Sequence, residues 1–145
     1  KKYLLVTPIA QQREMAKRIA GHWTSGWGAD YNPDRREAFS TLKIFASVQK
    51  ALAWAEEKEK KPVFKIATTA KRHEGAQHWL TLKREILRRD HSPLFIFGTG
   101  WGLHDEVMDM ADAVMTPIIG GKDGWNHLSV RSAVSITLDR FFGWR

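Results

Sequence analysis

Gly98-Thr99-Gly100-Trp101-Gly102 puts three glycines in five residues. Such a string presents backbone amides and carbonyls without side-chain obstruction, which suits a closely fitted ligand. It is not a P-loop, because no Gly-Lys-Ser/Thr occurs, and it lacks the G-x-G-x-x-G register of dinucleotide folds. The helix expected next opens His104-Asp105-Glu106. Carboxylates at the positive end of a helix disfavour bound phosphate and tolerate a neutral or cationic ligand. A tight strand-to-helix turn with no ligand accounts for the string equally well. Two other segments have related chemistry: Thr68-Thr69-Ala70, and residues 117–128 with three glycines.

Other groupings are weaker. His73 with His78, or His104 with His127, match no zinc spacing, so no metal is expected. Asp105, Glu106, Asp109 and Asp112 fall at helical spacing and read as an exposed acidic face. Ser129 has no G-x-S-x-G elbow around it and reads as a helix cap. The chain has no cysteine, which removes thiol nucleophiles, disulfides and Cys-zinc sites together.

The elements that must position these loops alternate. Short apolar runs at 3–6, 42–45, 63–67, 94–97 and 113–115 predict strands. Thr7-Pro8 reads as a cap opening a helix with Ile9, Ala16, Ile19, Ala20 and Trp23 on one face. Residues 25–28 then read as a loop. Asn32-Pro33 repeats the cap-plus-proline signal for a helix through Phe39. Ser47 caps a helix to about Lys60, and a basic helix follows at 82–89. A last helix spans 129–142, with Val130, Ala133, Val134, Thr137, Leu138 and Phe141 facing inward. Alternation of this kind predicts an α/β fold with a mostly parallel sheet and helices on both faces. In such sheets ligands bind beyond the carboxyl ends of the strands, where the three loops fall.

The 145 residues suit one domain, and the net charge of +7 favours a polyanionic partner such as nucleic acid. The charge is uneven: residues 1–72 carry +8 and residues 73–145 carry −1. Trp23, Trp27, Trp54 and Trp79 lie near basic residues, a composition suited to base stacking beside phosphate contacts. Core and rim aromatics beside a solvated face would read the same way. No apolar run approaches the roughly 20 residues of a membrane span, and no signal peptide is visible, so a cytoplasmic location is expected.

Phe97-Gly98-Thr99-Gly100-Trp101-Gly102-Leu103, then Pro117-Ile118, then Asn126-His127-Leu128-Ser129-Val130-Arg131-Ser132-Ala133 resemble the SPOUT class of RNA methyltransferases. The front segments Val6-Thr7-Pro8, Trp23, Gly26, Gly28 and Tyr31-Asn32-Pro33, with Ala67-Thr68-Thr69-Ala70, resemble a small bacterial SPOUT family. Some of its members are attached behind a tRNA (guanine-N1) methyltransferase. The resemblance covers nearly the whole chain. It implies a deep C-terminal trefoil knot, a rare exception to the rule against threaded loops. It also implies S-adenosylmethionine as cofactor, S-adenosylhomocysteine as product, and a homodimer with the cofactor site at its interface.

Thr69, Ala70, Gly98, Gly100, Gly102, Leu103, Pro117, Ile118 and Leu128 match the cofactor loops. Asn126, Ser129 and Arg131 fall where the class places groups acting on RNA, with Arg131 the leading candidate for orienting RNA or stabilising developing charge. The resemblance further implies that residues 1–145 form one SPOUT-like domain lacking a first strand and helix. The function implied is direct methyl transfer to a base or ribose of tRNA or rRNA. The competing reading is a degenerate module that binds RNA or a partner and assists an attached methyltransferase domain.

Overall fold

A computed structural model describes residues 1–120 and 126–144. Gly121 and Gly124 of the predicted loop 117–128 lie outside the described residues. The chain divides into two compact units, Lys1–Lys58 and Glu59–Arg145.

The first unit runs β1 (Tyr3–Val6), α1 (Ala10–Thr24), α2 (Gly26–Tyr31), α3 (Pro33–Ser40), β2 (Leu42–Phe45) and α4 (Val48–Lys58). β1 and β2 pair in parallel, from Tyr3 opposite Leu42 to Val6 opposite Phe45. Thr7 does not cap α1. Its Oγ1 accepts from the Ile9 amide at 3.3 Å and donates to Gln12 Oε1 at 2.6 Å, so a turn precedes the helix and Ala10 opens it. Ile9 and Ile19 are exposed, whereas Ala16, Ala20 and Trp23 are half-buried, so the predicted apolar face of α1 is only partly used.

Of residues 25–28 only Ser25 lies outside a helix, because α2 begins at Gly26. Asn32 behaves as expected: its Oδ1 accepts from the Arg35 amide at 2.9 Å, with Pro33 at the first helical position. Ser47 Oγ accepts from the Lys50 amide at 3.3 Å at the start of α4, whose Ala51 and Ala55 are buried.

The second unit runs β3 (Val63–Thr68), α5 (Trp79–Arg89), β4 (Ser92–Ile96), α6 (Asp105–Asp109), β5 (Ala113–Met115) and α7 (Val130–Phe142). Its three strands are parallel in the order β4-β3-β5. The parallel α/β architecture is therefore as expected, with the five strands distributed over two hydrogen-bonded sheets. β4 starts at Ser92 and contains Pro93. A proline is tolerated there because β4 lies at the sheet edge.

Phe64, Ile66, Leu82, Ile86, Ala113, Met115 and Phe141 form the core of this unit, with Trp79 and Phe95 packed against it. α5 starts at Trp79, not Leu82, because His78 Nδ1 accepts from the Leu80 amide at 3.4 Å. Histidine is outside the usual capping set, so the sequence carries no signal for that start. On α7, Thr137 and Phe141 are buried, but Leu138 is exposed, contrary to its predicted inward position.

Asp105, Glu106, Asp109 and Asp112 are exposed as expected, but Asp112 lies beyond the helix and has a further role. α6 ends at Asp109, and Asp112 Oδ2 accepts from the Lys65 amide at 2.7 Å while its own amide donates to Lys65 O at 2.8 Å. The carboxylate thus fastens the start of β5 to β3. Hydrogen bonds to charged groups contribute about 1.5–3 kcal/mol, and partial exposure reduces the ionic share at the Lys65 ammonium. Asp112→Ala is expected to lower unfolding stability by about 1–2 kcal/mol in urea titration; a midpoint equal to that of the parent chain would contradict this.

Candidate functional site

β3, β4 and β5 run the same way, so their carboxyl ends lie at one edge. A cleft of about 250 Å³ opens there, lined from three segments. Thr68, Thr69 and Ala70 come from the end of β3. Phe97, Gly98, Thr99, Gly100 and Gly102 follow β4. Met115, Thr116, Ile118 and Asn126–Val130 extend from β5 into the start of α7, with Ala133 and Thr137 further along that helix.

The glycines of the middle segment do different things. A Cβ on Gly98 would lie 2.3 Å from Gly102 C and 2.7 Å from Leu103 N, so the chain can fold back on itself only if residue 98 lacks a side chain. The fold-back is closed by the Gly102 amide donating to Thr99 O at 2.6 Å. Gly102 has φ +91°, a left-handed backbone suited to glycine. At Gly100 a Cβ would meet nothing within 4 Å. Gly98 and Gly102 therefore shape the loop, while Gly100 leaves space.

Side chains tie the segments together. Thr68 Oγ1 donates to Ile96 O at 2.9 Å, joining the exits of β3 and β4. Asn126 Nδ2 donates to Ala70 O, joining the third segment to the first. Ser129 Oγ accepts from the Ser132 amide at 3.2 Å and caps α7 as expected.

Of the sequence-predicted residues, Thr69, Ala70, Gly98, Gly100, Gly102, Ile118, Leu128, Asn126 and Ser129 line this one cleft. Leu103, Pro117 and Arg131 do not line it; each is next in the chain to a residue that does. Arg131 is exposed on the first turn of α7.

Sequence reasoning passed over His127 and Thr137 as cleft residues. Thr137 was legible only as an inward position. Its spacing of four from Ala133, itself four from Ser129, places all three on one helix stripe. Thr137 is fully buried, and its Oγ1 has no hydrogen-bond partner among the described residues.

The wall contains no Lys, Arg, Asp or Glu among the described residues, and His127 is its one titratable side chain. Bare backbone, small side chains and the apolar Phe97, Met115, Ile118 and Val130 fit a nucleoside bearing a cationic centre. An unpartnered buried hydroxyl adds one uncommitted polar atom. The donor set thus fits S-adenosylmethionine. Among the described residues no group of three or more His, Cys, Asp or Glu is placed to hold a metal ion. No helix among them is long and apolar enough to cross a membrane.

Solved structures share this architecture. TrmJ from Zymomonas mobilis ZM4 superposes with a TM-score of 0.63 at 15% identity, covering 99% of this chain and 69% of its own. A methylase family protein from Neisseria gonorrhoeae gives 0.60 at 22% identity, over 79% of this chain and 52% of its own. The fold is that of the SPOUT methyltransferases. The profile of a family described as SAM-dependent RNA methyltransferase matches residues 1–143, and the chain belongs to that family.

An uncharacterized protein of Aquifex aeolicus is 35% identical over 97% of this chain and 68% of its own length. A tRNA (guanine-N(1)-)-methyltransferase of Oleidesulfovibrio alaskensis is 36% identical, and one of Nitratidesulfovibrio vulgaris is 34% identical. This chain spans only 32% of each of those two relatives.

Two substitutions test the site's construction. Gly98→Ala forces a methyl group into the Gly102 backbone and is expected to cost about 1–3 kcal/mol of stability in thermal or urea unfolding. Thr137→Val removes the orphaned hydroxyl at nearly constant volume and is expected to raise the stability of the ligand-free chain by about 1 kcal/mol. A lower melting temperature would mean that the hydroxyl is satisfied.

Proposed function

We propose that the protein is a methyltransferase acting on tRNA or rRNA, with its S-adenosylmethionine site in the cleft beyond β3, β4 and β5. The observation that carries this reading is the convergence of the three segments on one wall of bare backbone, small polar side chains and apolar side chains. In this reading Thr69, Ala70, Gly98, Gly100, Gly102, Ile118 and Leu128 hold the cofactor, largely through backbone groups. Leu103 and Pro117 set the course of the loops from outside the wall. Bound there, S-adenosylmethionine supplies an electrophilic methyl group.

The chain's remaining task is to orient an RNA nucleophile in line and manage its proton. Arg131, exposed beside the cleft's third segment, is assigned to orienting RNA or stabilising developing negative charge. Asn126 and Ser129 act by holding that segment in place: one binds Ala70 O, the other caps α7. Threading of α7 through the preceding loop, a homodimer with the cleft at its interface, and a cytoplasmic location belong to the same proposal. The names of the two relatives support tRNA as the substrate class.

Those relatives also favour a second reading. They are about three times the length of the matched region, as a module that assists an attached catalytic domain would be.

Titration calorimetry with S-adenosylmethionine tests the site. The parent chain is expected to bind, and Gly100→Arg is expected to remain folded yet lose binding, because its side chain enters open space. Unchanged affinity in Gly100→Arg places the cofactor elsewhere. Transfer of labelled methyl from the cofactor into total tRNA then separates an enzyme from a binding module.

A further inference from the structure

The segment Trp23–Tyr31 was singled out by its aromatic content, yet the cofactor cleft uses none of it. α2 inverts the usual pattern of a surface helix. Its buried residues are Gly28 and Ala29, while Trp27 is 70% exposed and Tyr31 is 67% exposed. Burying a large aromatic side chain is ordinarily the larger gain. A helix that turns its smallest residues inward and its largest outward is therefore held that way by something other than its own amphipathicity.

The constraint lies at Gly28. A Cβ there would stand 2.1 Å from His22 O, so α2 packs against the end of α1 through bare backbone. Gly26, at φ +62°, turns the chain into α2. Trp27 and Tyr31, four residues apart, stack with centroids 4.7 Å apart and planes 16° apart. On α3, the next helix in the chain, the Arg35 guanidinium lies 4.2 Å over the Trp23 ring, and Asn32 caps the helix through the Arg35 amide. Arg36 is exposed next to it, and residues 1–58 carry a net charge of +4.

We propose that Trp27 and Tyr31 form a stacking platform for an unpaired base of the RNA substrate, with Arg35 and Arg36 contacting the adjoining phosphates. This rests on the reading of the protein as RNA-acting, and it adds which surface takes the RNA and in what form. Rigid π faces beside cations bind single strands irrespective of sequence, because every base offers a ring face. Duplex RNA keeps its bases stacked on each other and leaves such a platform unused.

The test uses the full chain and a fluorescein-labelled dodecauridylate, single-stranded or paired with dodecaadenylate, read by anisotropy. Trp27→Ala/Tyr31→Ala is expected to weaken single-strand binding about tenfold, with the dependence of log affinity on log salt unchanged. Trp27→Phe/Tyr31→Phe is expected to restore most of the affinity. Arg35→Ala/Arg36→Ala is expected to flatten the salt dependence by about one to two phosphate contacts. Calorimetry with S-adenosylmethionine is expected to give parent affinity for the ring-deleted variant. If the parent chain fails to bind, prefers the duplex, or is unaffected by ring deletion, the proposal is overturned. A change of oligomeric state in the ring-deleted variant by sedimentation overturns it too, since the platform would then be a protein interface. Failure of the parent chain to bind S-adenosylmethionine, with ring-dependent RNA binding intact, would count against the cofactor site alone.

Discussion

β3 is hydrogen-bonded on both sides to parallel strands, and the three exits consequently leave the sheet at one edge. Parallel pairing makes each strand end where its neighbours end, so Thr68, Ile96 and Met115 are the starting points of three adjacent loops. The cleft is the space those loops enclose. Its construction depends on small local devices: the Asp112 carboxylate on the Lys65 amide, the Thr68 hydroxyl on Ile96 O, and the Asn126 amide on Ala70 O. Each joins a point far along the chain to β3 or to the segment leaving it.

Within that frame the glycine string divides its work by geometry. Gly98 is excluded from bearing a side chain by Gly102 and Leu103, and Gly102 by its own backbone angle. Only Gly100 is free of such constraints. Three residues of one type thus separate into two that build the loop and one that leaves room for a ligand. The described wall offers bare backbone, small polar side chains and the apolar Phe97, Met115, Ile118 and Val130, a lining that accommodates a nucleoside.

The first unit follows another logic. Its buried side chains are few and small, and close helix approach at Gly28 does what a large apolar contact does elsewhere. The consequence is an aromatic pair turned to solvent, followed by exposed arginines on the next helix, in a chain whose family acts on RNA. Charge and aromatic content made this region conspicuous in the sequence. Only the packing of α2 distinguishes Trp27, an outward ring, from Trp23, a half-buried one under a guanidinium.

The sequence by itself determined the α/β class, most element positions, the three loops and nine of the wall residues. The class, elements and loops are written locally, in apolar runs, in caps such as Asn32-Pro33 and Ser129, and in glycine placement, whereas the nine wall residues came from the resemblance of their motifs to the SPOUT class. The sequence misplaced the starts of α1 and α5, because a threonine turn and a histidine cap carry no distinctive propensity, and read α2 as loop, because Gly26 and Gly28 look like breakers until their packing is seen. Tertiary structure alone decided the rest. Asp112, exposed as expected, became a clasp beyond the end of α6, Thr137 became a buried hydroxyl with no partner among the described residues, and Arg131 stayed outside the wall. Such roles depend on which distant backbone atom lies within about 3 Å of a side chain, and periodicity along a chain does not encode that distance.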